Sequence, residues 1–595
     1  MMKIKYLNSS RLYRALAAGG KAVIASQDYL NMINVFPVAD ADTGINLSMT
    51  MRAVLQGRTQ SGSLSGSLRS MADSALSGAR GNSGIIFAQY LHGLSREIPA
   101  KDELELTSFA SAALKAVDHL YQSLMNPVEG TMLTVIRRWA ESLKTASEKT
   151  GDYLQALLHA QDTARQALQE TPHQLKVLKD AGVVDAGAYG IVRFLEGVVD
   201  YIQKGSLREH ISETIAAIEM PAIEDHSGAP TTYRYCTEAI LSSVKADIKE
   251  LKSLIGNLGD SIILAGGPDK YHLHIHTNQP DLIFDKLFNL AEVSSPKVDD
   301  MLRQYQISHE RKFPIGLVTD TACDLPQELA DRYQIVQIPF GISFGDRFYL
   351  DKHTIQAKQF YRLLSSYHKH PVSSQPAPAM IQNLLEFTAM NYDKVIAVHI
   401  SDKLSGAYQS SSLIASRLAP GKLGVIDSKQ LSVTEGLVTL RIVRAIEAGM
   451  SFEEIMESSK QWTRNTKIYT DINTLKYMVR GGRVPPLAGF IADLLNLKPI
   501  VSLDAEGKAQ VYGKSLSRKR NMDKIIAFIG KELQTRKIWE YAIVHAEAED
   551  RAQSYAHKLT QLTGKKPAYI MPLSPVVGVH NGIGAVGIGV SYDPA

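Results

Sequence analysis

The stretch Asn34-Val-Phe-Pro-Val-Ala-Asp40-Ala-Asp42-Thr43-Gly44-Ile-Asn46 sets the reading of the first third of the chain. Two carboxylates two residues apart sit in a Pro- and Gly-marked loop just before a helical run. Mg²⁺ takes oxygen ligands and is commonly held by one or two carboxylates plus substrate phosphates. Asp40 and Asp42 are therefore candidates to converge on one divalent ion, and a helix starting near Ile45 would offer backbone N–H groups to phosphate oxygens. A plainer alternative stays open, in which Asp42 caps the helix and Asp40 is solvated.

Around this loop, apolar residues recur at helical spacing, as in Leu47-Met51-Leu55 and Leu154-Leu157-Leu158, with little strand-like alternation. Residues 1–205 are expected to be mostly helical. Composition then shifts to EMPAIEDHSGAPTT at 219–232, rich in Pro, acidic and small polar residues, which places a linker over 206–232. Strands at 240–244, 261–264 and 272–276 with a helix at 281–291 make a small α/β domain over 233–308. The polar SHERK at 308–312 marks a second joint.

From 313 to 595 the pattern is strand, loop, helix. Strands are expected at 315–319, 395–400, 423–426, 468–470 and 541–544, and a capping box Ser451-Phe-Glu-Glu454 starts one of the intervening helices. Such alternation predicts an α/β domain with a mainly parallel sheet covered on both faces. The fold class is thus multidomain, since 595 residues exceed what one core serves.

Composition excludes several classes. Hydrophobic residues at 45% and charged residues at 21% are the balance of a globular chain. A net charge of +4 leaves no electrostatic footprint for nucleic acid, and Arg518-Lys519-Arg520 reads as a solvated face. Two cysteines, Cys236 and Cys323, exclude a disulfide framework and fit a reducing compartment. Arg14 and Lys21 interrupt any signal core, and no run of about 18 apolar residues spans a bilayer. A cytoplasmic location is expected, with no nucleic-acid partner and no stable membrane insertion.

A second glycine-rich turn, Gly78-Ala-Arg-Gly81-Asn82-Ser83-Gly84, opens another helical run. It suits an anion or simply a tight turn, and it is not a Walker loop because the Gly-Lys-Ser/Thr ending is missing. With Pro127-Val-Glu129-Gly130-Thr131-Met132 and Ala181-Gly-Val-Val-Asp185-Ala-Gly187-Ala-Tyr-Gly190, four segments in order over residues 5–200 resemble the nucleotide-binding subunit of the dihydroxyacetone kinase family, an all-helical DhaL-like barrel. The closer match is the kinase subunit of bacterial fatty acid kinase. The resemblance implies ATP and Mg²⁺ as cofactors, with the metal on Asp40 and Asp42 assisted by Asn34. It implies that Thr43, Asn46, Asn82 and Ser83 face the phosphates, that Gly130, Thr131 and Met132 lie near the adenine, and that Asp185 is near the nucleotide. The family usually has Pro and Gly where this chain has Ala39 and Ala41.

In Tyr271-His272-Leu273-His274-Ile275-His276-Thr277 the three histidines share one strand face. Imidazoles at this spacing, joined by a thiolate such as Cys236, make a zinc set; a wet, metal-free histidine face is the alternative. The segment resembles the middle domain of the same kinase protein, which implies Zn²⁺ on Cys236, His274 and His276, with His272 as a neighbour.

Val318-Thr319-Asp320-Thr321-Ala-Cys-Asp324-Leu-Pro326 ends a predicted strand and opens a helix, where open α/β sheets place ligands; Asp324 also suits a capping role. With Ser373-Ser374-Gln375-Pro376, Leu404-Ser405-Gly406-Ala407-Tyr408-Gln409, Asp427-Ser428, Gly481-Gly482-Arg483 and Pro575-Val-Val-Gly578-Val-His580, it resembles the DegV family of bacterial fatty-acid-binding proteins across 313–595. That implies a lipid carboxylate held by Ser373, Ser374, Ser405 and Gly406 and flanked by Arg483 and His580, the last two serving catalysis as well. Gly582-Ile-Gly584-Ala-Val-Gly587 fits a dinucleotide fingerprint, but the chain supplies no downstream helix, strand and ribose-binding acid, so it reads as a small-residue turn.

Together the resemblances imply a fatty acid kinase that phosphorylates a bound fatty acid to an acyl phosphate for phospholipid synthesis. The expected partners are the fatty acid, a second copy in a homodimer and a downstream acyltransferase. Two alternatives are carried: a dihydroxyacetone-type kinase acting on a small ketone or polyol, and a non-catalytic lipid carrier or sensor regulated by nucleotide.

Overall fold

The computed structural model describes residues 3–36, 42–57, 63–204, 232–418, 420–484 and 498–593. Asp40 and all but the last residue of the expected linker 206–232 lie outside the described residues. The chain divides into two compact units, Met1–Tyr305 and Gln306–Ala595, and the division falls inside the helix Met301–His309.

In the first unit, helices succeed one another around a ring: Ser9–Ala25, Thr43–Gln56, Leu64–Gly78, Gly81–Glu97, Leu106–Ser123, Met132–Ser147 and Tyr153–Gln174. The ring is closed by Ala186–Lys204, which packs on the first helix. That closure needs a close approach, since a Cβ on Gly19 would lie 2.6 Å from the Phe194 ring. Leu12, Leu16, Phe87, Trp139 and Phe194 point inward and enclose an apolar cavity of about 240 Å³. The all-α expectation holds apart from a short antiparallel pair, Tyr6–Asn8 with Glu103–Glu105.

A four-stranded antiparallel sheet belongs to the same unit. Its strand order is Gly259–Gly267, Lys270–Thr277, Tyr235–Ser242, Glu292–Asp300. The last strand escapes sequence reading because Glu-Val-Ser-Ser-Pro carries little β-propensity. Register fixes what the sheet presents. Cys236 stands opposite His276 on one side and Asp299 on the other, and Glu238 stands between His274 and Lys297. Directly opposed residues project from the same face, so these six side chains form two cross-strand rows.

The second unit contains the expected parallel sheet, in the order Leu423–Asp427, Lys394–His399, Ile315–Asp320, Val336–Ile338. Beside it is a six-stranded sheet that the strand–helix pattern does not foretell: Ala509–Ser515, Lys498–Leu503, Thr466–Asp471, Val586–Tyr592, Ile538–His545, Ile570–Pro572. Only its last pair is parallel. The reason is topological, because the C-terminal strand Val586–Tyr592 returns to the middle of the sheet and runs against both neighbours. The helix Ser432–Glu447 packs on strands of both sheets and is buried almost throughout. Gly582 and Gly584 have φ of +72° and +83°, which confirms a turn there, and it feeds the central strand. Among the described residues no helix is long and apolar enough to cross a membrane.

Candidate functional site

The two motifs read separately from the sequence line one cavity. Asn34, Asp42, Thr43, Asn46, Asn82 and Ser83 come from the helical ring, and Cys236, His274 and His276 come from the sheet. The enclosed space is about 40 Å³.

The loop-to-helix junction differs from expectation in one respect. Asn31 Oδ1 accepts the N–H of Gly44 at 2.7 Å and that of Ile45 at 3.2 Å, so these amides are used within the protein and are not offered to phosphate. The same geometry removes the plainer reading of Asp42, whose side chain makes no capping hydrogen bond although it stands at the helix N-cap. Capping falls to Asn31, and the Asp42 carboxylate lines the cavity. The glycine-rich turn is built for proximity. Gly81 has φ +59°, and a Cβ there would lie 2.3 Å from Asn46 Nδ2. Asn82 Oδ1 is buried and finds no hydrogen-bond partner among the described residues, as expected of a group that meets a ligand.

Ser83 connects this cavity to Met132 and Asp185. A Cβ on Gly187 would meet Ser83 Oγ at 2.9 Å, Met132 Sδ at 3.1 Å and Asp185 Oδ1 at 3.4 Å. Asp185 is buried, which pushes its carboxyl up to about 6 against the opposing N–H groups of Ala188 and Met132. Gly130 and Thr131 are spent differently. The Thr131 hydroxyl accepts from Leu133 N as the cap of the helix Met132–Ser147, and Gly130 N donates to Thr134 Oγ1 at 2.8 Å. Neither lines the cavity.

On the sheet side, the ligand atoms of Cys236, His274 and His276 all lie within 4.8 Å of one another. His272 donates to the Leu76 carbonyl at 2.6 Å and stands apart, as expected of a neighbour. Glu238, not singled out by the sequence reading, organises the face. Its Oε1 accepts from Gly81 N at 2.8 Å and faces His274 Nδ1 at 3.3 Å. Cys236 Sγ lies 3.7 Å from the same Nδ1, and a carboxylate beside the ring is the usual partner that orients a metal-bound histidine. His274 Nε2 is buried and unpartnered among the described residues, so the donor set fits a soft divalent ion such as Zn²⁺. Burial would raise Glu238, but Lys297, then His274 and His272, hold its carboxyl well below the usual range. Burial, with Glu238 adding, drives the Cys236 thiol well above its usual range, and burial pushes His276 down to about 3. Lys297, Asp299 and Gln304 also line the cavity. Period-two spacing in Cys236-Thr-Glu238 and Lys297-Val-Asp299 is the signal that would have found three of the missed residues.

The second unit holds a pocket of about 70 Å³ with Ile400, Leu404 and Leu431 on its walls and Ser373, Ser405, Arg483 and His580 among its polar groups. Ser373 Oγ and His580 Nε2 are 2.8 Å apart. Burial, then Arg483 and His370, push His580 down to about 3, so its ring is neutral near pH 7. Arg483 is lowered by burial, a charge that an arriving anion would favour. Two expected contacts fall elsewhere. Ser374 alternates to the opposite strand face, where its Oγ packs on Gly341, and Gly406 faces Gln375. Asp324 is no helix cap either. It is fully buried, accepts from Ser432 Oγ at 2.5 Å and Ser574 N at 3.0 Å, and lies 3.6 Å from Lys352 Nζ.

Comparisons with known proteins agree with this division. The family model described as uncharacterised protein, DegV family, matches residues 314–593; the DAK2 domain matches 37–200; and the FakA-like middle domain of fatty acid kinase matches 232–308. Protein YloV of Bacillus subtilis is 30% identical over 364 residues, covering 58% of this chain and 64% of that protein. A DegV domain-containing protein of Clostridium acetobutylicum is 30% identical over 277 residues, covering 46% of this chain and 97% of that one. A solved DegV family protein from Thermus thermophilus, described as fatty acid binding, is 27% identical with a TM-score of 0.44, covering 47% of this chain and all of that one. The chain spans about six tenths of the length of these curated relatives, 59% of a Mycoplasma pneumoniae protein and 64% of YloV. The chain belongs to the DegV family through residues 314–593, and carries ahead of that region a DAK2 domain and a FakA-like middle domain.

Proposed function

We propose that this chain transfers the γ-phosphate of ATP to the carboxylate of a fatty acid held by its DegV region. The observation that carries the reading is the convergence of Asp42, Asn46, Asn82 and Ser83 with Cys236, His274 and His276 on one cavity. Residues 1–205 act as the kinase domain, 206–232 as a linker, 233–308 as the metal-bearing domain and 313–595 as the acyl carrier.

A carboxylate is ionised near neutral pH, so the acceptor needs no general base. One carboxylate oxygen attacks the γ-phosphorus, the bond to the β,γ-bridging oxygen breaks, and acyl phosphate and ADP leave with no proton gained or lost. The protein's task is to position two anions and offset their charge. Asn46, Asn82 and Ser83 orient the phosphates, while Met132 and Asp185 border the remainder of the nucleotide. Mg²⁺ held by Asp42 with Asp40 and Asn34, and Zn²⁺ held by Cys236, His274 and His276, would supply positive charge at the phosphates. Ser373, Ser405, Arg483 and the neutral His580 bind the acyl carboxylate at the polar end of an otherwise apolar pocket, a layout suited to an amphiphile rather than a triose. The product feeds phospholipid synthesis through an acyltransferase, and the enzyme works as a homodimer in the cytoplasm.

The test is incubation of the purified full chain with ATP, Mg²⁺ and a panel of fatty acids, trapping product with hydroxylamine, beside parallel reactions with dihydroxyacetone. Hydroxamate from fatty acids alone supports the reading. Phosphorylation of the ketone alone would make it a dihydroxyacetone-type kinase, and lipid binding without turnover of either would make it a carrier or sensor.

A further inference from the structure

The cavity of the first unit contains a cation that neither metal set accounts for. Among the described residues lining it, Lys297 is the only lysine or arginine. Its place is set by register: Glu292–Asp300 pairs with Tyr235–Ser242 so that Lys297 stands opposite Glu238, on the face that carries Cys236 and His274. Its ammonium donates to Asp299 and lies 3.9 Å from Glu238 Oε2, beyond hydrogen-bond reach. An ammonium has three donors. Asp299 takes one, and it is the only hydrogen-bond partner of Lys297 Nζ among the described residues. The side chain keeps 28% of its surface open.

A salt bridge kept for stability alone gains little from this arrangement, because desolvating both ions costs about as much as their attraction returns. The lysine also stands where the charge problem of phosphoryl transfer is sharpest. The helical wall brings Asp42, Asn46, Asn82 and Ser83, and Ser83 leads by way of Gly187 to Met132 and Asp185, away from the sheet. The sheet wall offers thiol, imidazole and an ammonium, together with the Asp299 carboxylate that is paired to that ammonium, and its cationic and hydrogen-bonding groups suit phosphate better than a base. A nucleotide in this cavity therefore presents its phosphate end to the sheet.

We propose that Lys297 contacts the terminal phosphoryl group of the nucleotide, with Asp299 and Glu238 as the carboxylates that hold its ammonium in place. The assignment rests on the kinase reading above. Lysine serves here as a compact point charge, the way phosphate-binding lysines commonly act. A lysine ammonium beside two carboxylates is charged near neutral pH.

The experiment separates terminal-phosphate contact from general binding. Affinities for Mg-ADP and for the non-hydrolysable Mg-AMP-PNP are measured on the full chain without fatty acid, for wild type, Lys297→Met and Lys297→Arg. Zinc content and melting temperature are recorded for each. The proposal expects Lys297→Met to lose about tenfold or more of its AMP-PNP affinity, the size of one charge-assisted hydrogen bond. ADP affinity should stay within about twofold, and Lys297→Arg should keep most of the discrimination. Equal loss of both affinities, or no loss in either, overturns it. If Lys297→Met proves misfolded, Lys297→Gln replaces it: a folded Lys297→Gln with wild-type AMP-PNP affinity overturns the proposal, and a loss confined to AMP-PNP supports it. Wild type that binds neither nucleotide would sink the kinase reading together with this one. Wild type that shows the expected discrimination yet makes no acyl phosphate would leave Lys297 assigned and the acceptor wrong.

Discussion

Glu238 accepts the backbone N–H of Gly81 through Oε1 at 2.8 Å, although 157 residues separate them. The same oxygen lies 3.3 Å from His274 Nδ1, so one buried carboxylate holds both the glycine-rich turn and a histidine of the candidate metal set. Replacing it by glutamine keeps an acceptor for Gly81 but removes the charge that orients His274. Loss of such an outer partner weakens metal binding by about 10- to 100-fold. Zinc titration of Glu238→Gln against a competing chelator should show a loss in that range, and wild-type zinc affinity in the variant would contradict the arrangement.

Gly81→Ala should disable the turn without touching the sheet. The left-handed backbone at φ +59° disfavours any side chain, and the new Cβ would press on Asn46 Nδ2. A cost of about 1–2 kcal/mol is expected in thermal or urea unfolding, with nucleotide affinity reduced about tenfold or more. A variant that binds AMP-PNP as wild type does would remove Asn46 from the phosphate site.

Asp185 should write itself into the pH dependence of stability. Its carboxyl is raised to about 6 by burial, above the unfolded value near 3.8. The stability it contributes is therefore complete below about pH 3.8 and is lost as pH rises through 6. Relative to wild type, Asp185→Asn should gain about 1–3 kcal/mol between pH 4 and pH 7. The check is urea unfolding of both proteins across that range; a pH-independent difference would mean that Asp185 is not buried as a charge.

Adjacent serines in the strand Val372–Ser374 should behave differently. Ser373 faces the pocket and His580, whereas Ser374 packs on Gly341. Displacement of a fluorescent fatty acid should show Ser373→Ala weakened by about three- to tenfold and Ser374→Ala near wild type, with AMP-PNP affinity unchanged in both. Equal effects at the two positions would place the carboxylate elsewhere.

Mixing two inactive proteins tests how the two sites cooperate. Asp42→Asn lacks the metal-side carboxylate, and Arg483→Ala lacks the acyl-side cation. If transfer runs between chains of a homodimer, an equal mixture should recover about a quarter of wild-type activity, because about half of the dimers are mixed and each has one intact pairing of the two sites. No recovery from a mixture shown to exchange protomers would restrict transfer to one chain.

How much of this was legible follows from which signals are local. Helical spacing around Leu47 and Leu154, and the alternation from His272 to His276, are short-range patterns, and they led to the helical ring and to the histidine-bearing strand face. The joining of the two motifs in one cavity was not legible, because Glu238 meets Gly81 only after the sheet docks on the helices. Asp42 taken by itself read more readily as a cap, and Asn31, 11 residues upstream, takes that role instead. Ser374 was wrongly grouped with Ser373 because sequence adjacency hides the alternation of a strand that is only three residues long. The antiparallel six-stranded sheet stayed hidden for a similar reason: Val586–Tyr592 gains its position from partners more than 40 residues away.

The central claim is that one polypeptide carries both phosphate donor and acyl acceptor. Its most direct measurement follows label from γ-labelled ATP into lipid extracts, using the purified chain, Mg²⁺ and a long-chain fatty acid, with no other protein present. The account predicts a labelled, hydroxylamine-sensitive lipid made in many turnovers, lost in Asp42→Asn and in Arg483→Ala. Tight binding of both ATP and fatty acid with no label in the lipid would contradict it.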